Sequence, residues 1–289
     1  MSVIHVAANQ LTLIMRSKWL AACSFVFVAL AFLVTYFTPT GGAGYGGFNR
    51  MTASMLNITL FVIPLIALLL GALFLAGEKE DGGLHLLLTY PVSRASLILG
   101  KFLGFLLALG AVLAGGCAVS FLAAAFINGR ASPAVIIKFY LLAFLLAAMF
   151  LAVAVLAGIW AQTRLQALGA SLALWAFTVI FYEFLIMGIS LFLANEWVVP
   201  FLALSVFLNP AELIRVWIIL MFDGGAVFGP AFYDWARWAN SPPGLFFFGA
   251  AAVLWVIFPL AAANLLLKKE VGHDSLRMDP VSVHRQEVQ

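Results

Sequence analysis

Six stretches of this chain, each long enough to cross a lipid bilayer as a helix, carry no Lys or Arg in their interiors. They cover residues 19–37, 56–77, 102–127, 139–161, 167–194 and 244–267. A helix gains about 1.5 Å per residue, so the hydrocarbon layer takes about 20 apolar residues per crossing. No water is present there to satisfy backbone N–H and C=O groups, and a helix satisfies them internally. A membrane barrel would need short segments alternating polar and apolar residues, which are not found. A soluble fold cannot absorb these runs either. Of 289 residues, 65% are hydrophobic and 9% charged, whereas soluble domains carry about 25% charged residues. The fold class is therefore all-α: a polytopic membrane protein of about six transmembrane helices, read as one transmembrane domain over residues 1–289.

The basic residues indicate an orientation. With both termini cytoplasmic, the inner segments hold Arg16, Lys18, Lys79, Arg94, Lys101, Arg164, Lys268, Lys269, Arg277 and Arg285. The outer segments then hold only Arg50, Arg130, Lys138, Arg215 and Arg237. Cytoplasmic loops are the ones enriched in Lys and Arg, so this orientation, in a cytoplasmic (inner) membrane, is expected. The scattered basic residues make no nucleic-acid patch. Cys23 and Cys117 fall inside predicted spans, as small buried residues and not as a disulfide framework. No small-residue cleavage pattern follows the first run, which is read as a retained helix.

Two segments outside the spans are structured. Ile4, Ala8, Leu11 and Met15 recur on one helical face, so residues 4–15 are expected to lie as an interfacial helix against lipid. Residues 198–222 are apolar but broken by Asn209-Pro210-Ala211-Glu212. Asn caps a helix, Pro fits its first position, and an acid suits its first turn. The two halves are too short to cross singly, and an outer re-entrant helical hairpin before the last span is preferred over a seventh span. A seventh span would put the four C-terminal basic residues outside.

The most informative segment joins the second and third spans, residues 78–101. Glu78, Lys79, Glu80 and Asp81 leave the membrane, Gly82 and Gly83 permit a turn, and Leu84, Leu86, Leu87 and Leu88 form a short apolar stretch. Pro91 stops it, Ser93 and Arg94 begin the next helix, and Leu99-Gly100-Lys101 leads back in. Exposed apolar residues on such a loop call for a cover, either lipid headgroups or a partner protein.

This pattern of Glu78, Glu80, Gly82, Leu84, the following leucines, Pro91-Val92-Ser93-Arg94 and Leu99-Gly100-Lys101 resembles the coupling segment of ABC-2 type transporter permeases. Gly83 stands where that family usually has Thr. Within the family the chain looks most like the NosY-type permeases of nitrous oxide reductase maturation, from its second span, Tyr182-Glu183, Asn209-Pro210 and Arg215. The resemblance implies a transport subunit that does no chemistry itself and pairs as a homodimer. Each copy would dock residues 78–101 on a separate ATP-binding subunit, which would hold ATP and Mg. Consistently, the sequence contains no G-x-x-x-x-G-K-[ST] phosphate loop. An extracytoplasmic partner could bind residues 195–243.

Within the spans, Glu183 is the one acid, which at membrane depth should face the bundle or water. It is a candidate pathway residue, with Asn57 in the second span beside Thr59 and Pro64; hydrogen-bonded packing is the plainer reading of all of them. An ion-coupled transporter or channel subunit using Glu183 is the alternative function. An intramembrane protease would need paired acids or a histidine within the spans, which are lacking. A copper path would want clustered Cys or Met, and Met51 with Met55 stands alone.

Overall fold

The structure, a computed structural model, describes residues 3–37, 50–83, 93–128, 133–222 and 224–277. Among these residues there are helices and turns and no strand. In chain order the helices are α1 (Val3–Met15), α2 (Lys18–Phe37), α3 (Arg50–Glu80), α4 (Arg94–Asn128), α5 (Pro133–Trp160) and α6 (Arg164–Ala176). A π-helical turn, Phe177–Phe181, joins α6 to α7 (Tyr182–Ser190); then come α8 (Asn195–Leu208), α9 (Pro210–Met221), α10 (Tyr233–Ala239) and α11 (Pro242–Arg277). Six spans are long and apolar enough to cross a membrane: Lys18–Phe37, Arg50–Glu80, Arg94–Ser120, Ile136–Trp160, Arg164–Ser190 and Pro242–Lys269. The second span continues past residue 77, and the third begins eight residues before 102, because the charged residues there stay helical and pair with neighbours.

The spans divide into an inner and an outer set. In α3, α4 and α5, 67%, 67% and 78% of the apolar window is buried, against 22%, 6% and 17% for α2, the α6–α7 span and α11. The outer set exposes Phe25, Phe177, Phe181, Phe184, Phe246 and Phe258, residues that only lipid or another chain could cover. Small residues draw α3 and α5 together. A Cβ on Gly71 would stand 2.7 Å from the Ala154 Cβ, and one on Gly158 2.9 Å from the Leu75 Cβ. Without a hydrophobic drive between helices in lipid, such close backbone approach is what lets dispersion hold them.

The interrupted segment is a bent pair. α8 and α9 meet at 111°, and Asn209 caps α9 by accepting from the Ala211 N–H at 2.9 Å, with Pro210 at the first helical position. A bend inside an apolar layer leaves the last carbonyls of α8 without helical partners. Side chains from two spans supply them: the Tyr182 hydroxyl donates to Ser205 O at 2.6 Å and Trp255 Nε1 to Phe207 O at 3.1 Å.

Helix α1 forms as expected, and the side away from its apolar stripe packs on the bundle. Ala7, Gln10 and Ile14 are buried, while Ile4 and Met15 are 76% and 54% exposed. The reason lies on α4, where Gly100 and Gly104 form a seat against Val6 and Gln10. The Ile4–Met15 side is left for lipid.

Candidate functional site

At one end of the bundle, where α3 finishes and α4 and α6 begin, charged side chains close into a collar. Lys101, one turn into α4 beyond the buried Leu97 and Ile98, is 2% exposed. Its Nζ forms an ion pair with Glu78 and donates to Gln10 Oε1 at 3.2 Å. Lys79, which follows Glu78 on α3, donates to Ile159 O at 2.8 Å, a cation on the C-terminal turn of α5 where the helix dipole favours one. Glu80 accepts from the Arg164 backbone N–H at 2.8 Å, and the Arg164 guanidinium reaches Asp81 at 2.5 Å. Gly77 makes room for that arginine, since a Cβ there would lie 2.8 Å from its Nε. Gly82, at φ +75°, then turns the chain off the helix in a conformation that glycine alone adopts without strain. On the returning side Ser93 Oγ accepts from Ser96 N at 3.2 Å and starts α4 at Arg94. A cavity of about 370 Å³ opens beside the collar between Trp19, Leu73, Phe74, Gly77, Glu78, Asp81 and Arg164.

Of the residues singled out in the sequence, Glu78, Glu80, Asp81, Gly82, Gly83 and Arg94 lie here, at the two feet of the segment. Leu84, Leu86, Leu87 and Pro91 fall outside the described residues. Sequence reading missed Arg164 and Gln10. Arg164 is an isolated cation in a short loop, and only packing of α3 against α6 pairs it; Gln10 lies off the apolar face that the pattern marks.

The second cluster is at the opposite end. Glu183, on the first turn of α7, is ion-paired with Arg215 of α9, whose guanidinium also lies 3.0 Å from Glu212. Asn209 Nδ2 donates to Thr178 O at 2.7 Å, within the π-helical turn, where the i to i+4 ladder is interrupted. The hairpin is thus pinned to the fifth span within the π-helical turn and just after it. A cavity of about 330 Å³ borders Glu183, Glu212 and Arg215 and is walled by Tyr182, Met187, Leu202, Phe228, Phe232 and Trp235. Asn57 is not part of this cluster. It stands on the exposed side of α3 while Thr59 is buried on the other, so the two share no wall. Met55 is packed within the bundle, its sulfur 4.0 Å from the Ser120 hydroxyl.

The collar and the bent pair are the parts by which the sequence resembles a transporter family, and comparison with known proteins agrees. The profile of ABC-2 family transporter proteins matches residues 4–271. The chain belongs to the ABC-2 transporter family. It is similar to the probable ABC transporter permease protein NosY of Pseudomonas aeruginosa, 32% identical over 232 residues, covering 78% of this chain and 84% of the relative. It is also similar to the probable ABC transporter permease protein NosY of Stutzerimonas stutzeri, 29% identical over 262 residues, covering 88% and 91%.

As an ABC-2 permease, the chain is the transmembrane subunit of an ABC transporter, a multi-pass membrane protein whose family implies an ATP-binding partner. The two ion pairs of the permease's collar differ in solvation. The Lys101 side chain is 3% exposed and its partner Glu78 25%, whereas Arg164 is 58% exposed and its partners Glu80 and Asp81 are 44% and 65% exposed. Exposed pairs are screened and exchange with water, contributing about 0–1 kcal/mol; a buried charge stays only while its partners stay.

Proposed function

We propose that residues 82–91 are the docking element for a separate ATP-binding subunit, which carries the ATP and Mg, and that the collar at their feet passes its movement to the spans. The observation that carries this reading is that the two feet of one short apolar segment are tied to each other by Glu78 and Lys101, and the first foot to α6 by Asp81 and Arg164. A segment anchored in this way delivers displacement to α3 and α4 instead of absorbing it. The docking face points into the cytoplasm, with both termini on the same side, in the cytoplasmic membrane. A homodimer covers the exposed face of the fifth span, only 6% of which is buried within one copy. Residues 195–243, with Trp197, Val227 and Tyr233 exposed, offer a surface to an extracytoplasmic partner.

The likeness to NosY permeases supports a substrate that serves maturation of a metalloenzyme of the nitrous oxide reductase type. Glu183 is proposed as a residue of its path, working against Arg215. That ion pair weighs against the alternative of an ion-coupled carrier, in which Glu183 would have to release and bind a cation that the guanidinium already replaces.

Replacing Leu86 and Leu87 together with Asp tests the docking. Buried interface anchors contribute about 2 kcal/mol or more each, so the variant accumulates in the membrane but loses the ATP-binding subunit on purification. Normal copurification and normal ATP-dependent transport would refute the coupling role.

A further inference from the structure

The bent pair fills only one half of the gap between the fifth span and the last. In that half Tyr182 and Asn209 tie it to the fifth span, and Trp255 ties it to α11. Leu266 lies on the same face of α11 as Trp255, about three turns or roughly 16 Å nearer the collar end. There the gap holds a cavity of about 610 Å³, within the range of about 300–1,000 Å³ usual for ligand sites. Its walls are Val153, Leu156 and Trp160 of α5, Ala173 and Phe177 of the fifth span, and Leu266 of α11, and the small Ala157 and Ala170 keep it hollow. Trp160, Ala173 and Phe177 are exposed, so the cavity opens at the side of the bundle. Water gains nothing there. The lining side chains are hydrocarbon apart from the Trp160 indole N–H, and a buried water needs about two to four polar partners. Left empty, the lining would lack dispersion partners on one side.

The charge beyond the cavity distinguishes among lipids. Lys268 and Lys269 follow Leu266 closely on α11 and are exposed, with Lys269 one turn on along the same face. Glu270 comes next in the chain, and the stretch still carries net positive charge. Arg164, which begins the fifth span, is already engaged by Glu80 and Asp81. Trp160 suits the membrane–water boundary at the cavity's mouth. A second copy of the chain has a different surface to use: Leu165, Gly169 and Leu172, exposed and spaced by four and three residues, form another side of the fifth span. We propose that the cavity holds an acyl chain of an anionic phospholipid whose headgroup is bound by Lys268 and Lys269. Lipid then completes, at the collar end, the wall that the bent pair completes in the other half. Basic residues beside a crevice between spans recognise such headgroups by charge.

Photo-crosslinking tests this in the full-length protein, reconstituted in nanodiscs of equal phosphatidylglycerol and phosphatidylcholine. A diazirine is carried on the acyl chain of one lipid or the other, and the adducts are mapped by mass spectrometry. Phosphatidylglycerol is expected to label residues 153–160 and 170–177 several-fold more than phosphatidylcholine. The exposed Phe25 and Val26 of α2 serve as the control and should take both lipids alike. Replacing both lysines, Lys268→Gln with Lys269→Gln, should bring the ratio at the cavity down to that of α2. Ala173→Trp fills the cavity from an exposed position and should lower labelling there by both lipids while leaving α2 unchanged. The lysine variant changes only exposed side chains, so it reads the site even where Ala173→Trp fails to accumulate. Equal labelling by the two headgroups in wild type, or a ratio that survives loss of both lysines, overturns the anionic site. Undiminished labelling in Ala173→Trp overturns the cavity as its seat. Absence of lipid adducts at the cavity, with a photoreactive side chain at position 173 capturing another copy of the chain, assigns the surface to the homodimer and overturns the proposal.

Discussion

Arg215, on the second arm of the bent pair, is the counter-ion of Glu183 in the fifth span. A carboxylate at membrane depth is thereby held by a cation that enters from a different element, and Glu212 shares the same guanidinium. The three groups carry one positive and two negative formal charges, so the arginine is the member whose loss matters most.

Arg215→Met should therefore destabilise the protein more than Glu183→Gln. Without the arginine, two carboxylates face each other in a half-buried site, at a cost of about 2–3 kcal/mol after allowing for partial exposure; without Glu183 the arginine keeps Glu212, and the loss is about 1 kcal/mol or less. Thermal unfolding in nanodiscs compares the two. If Glu183 also serves the transport path, Glu183→Gln lowers ATP-dependent transport without loss of assembly. Equal unfolding midpoints for the two variants would remove the arginine from its central place.

Asn209 performs two tasks with one amide, capping α9 through Oδ1 and holding the π-helical turn through Nδ2. Asn209→Asp keeps the cap and loses the donor, while Asn209→Ala loses both. A lost cap costs about 1 kcal/mol, and a buried carbonyl left alone costs about 1–3 kcal/mol. The expected order of stability is Asn, then Asp, then Ala, measured by the same unfolding assay; an aspartate variant as stable as wild type would mean that the Thr178 contact contributes nothing.

The α3–α5 seam leaves no room at Gly158, where a Cβ would meet Leu75 and Ala72 O at 2.9 and 3.0 Å. Gly158→Val should cost about 1–3 kcal/mol through overpacking. Gly169 is the control, because a Cβ there would meet nothing within 4 Å. Gly169→Ala should be neutral or stabilising by up to about 1 kcal/mol, because alanine loses less backbone freedom in a helix. Two variants with the same unfolding midpoint would contradict the packing described.

Sidedness follows from the basic residues and is open to direct chemistry. Single cysteines at Gly44, Ser241 and Ser275, in a background lacking Cys23 and Cys117, should react with an impermeant maleimide from outside at the first two positions and not at the third. Labelling of residue 275 from outside would reverse the orientation or add a span.

Much of the architecture is legible in the sequence because each relevant signal is local. Uncharged runs of bilayer length mark spans wherever they pack, and Asn209-Pro210 starts a helix by its own backbone preferences. The buried face of α1 is not legible, for a reason equally physical. Periodicity picks out the apolar stripe of Ile4, Ala8, Leu11 and Met15, but in a bilayer apolar residues also face lipid, so hydrophobicity does not tell inside from outside. The seat formed by Gly100 and Gly104 takes the Ala7 and Gln10 side and leaves Ile4 and Met15 exposed.

The sequence by itself determined that this chain is a bundle of apolar helices with one short apolar segment between charged feet, since composition, run length and turn residues act over a few neighbours at most. Which charge meets which was decided only in the tertiary structure. Glu78 finds Lys101 and Gln10, Asp81 finds Arg164, and Glu183 finds Arg215. Ion pairing depends on distance and on exclusion of water, and both arise only when helices remote in sequence pack side by side.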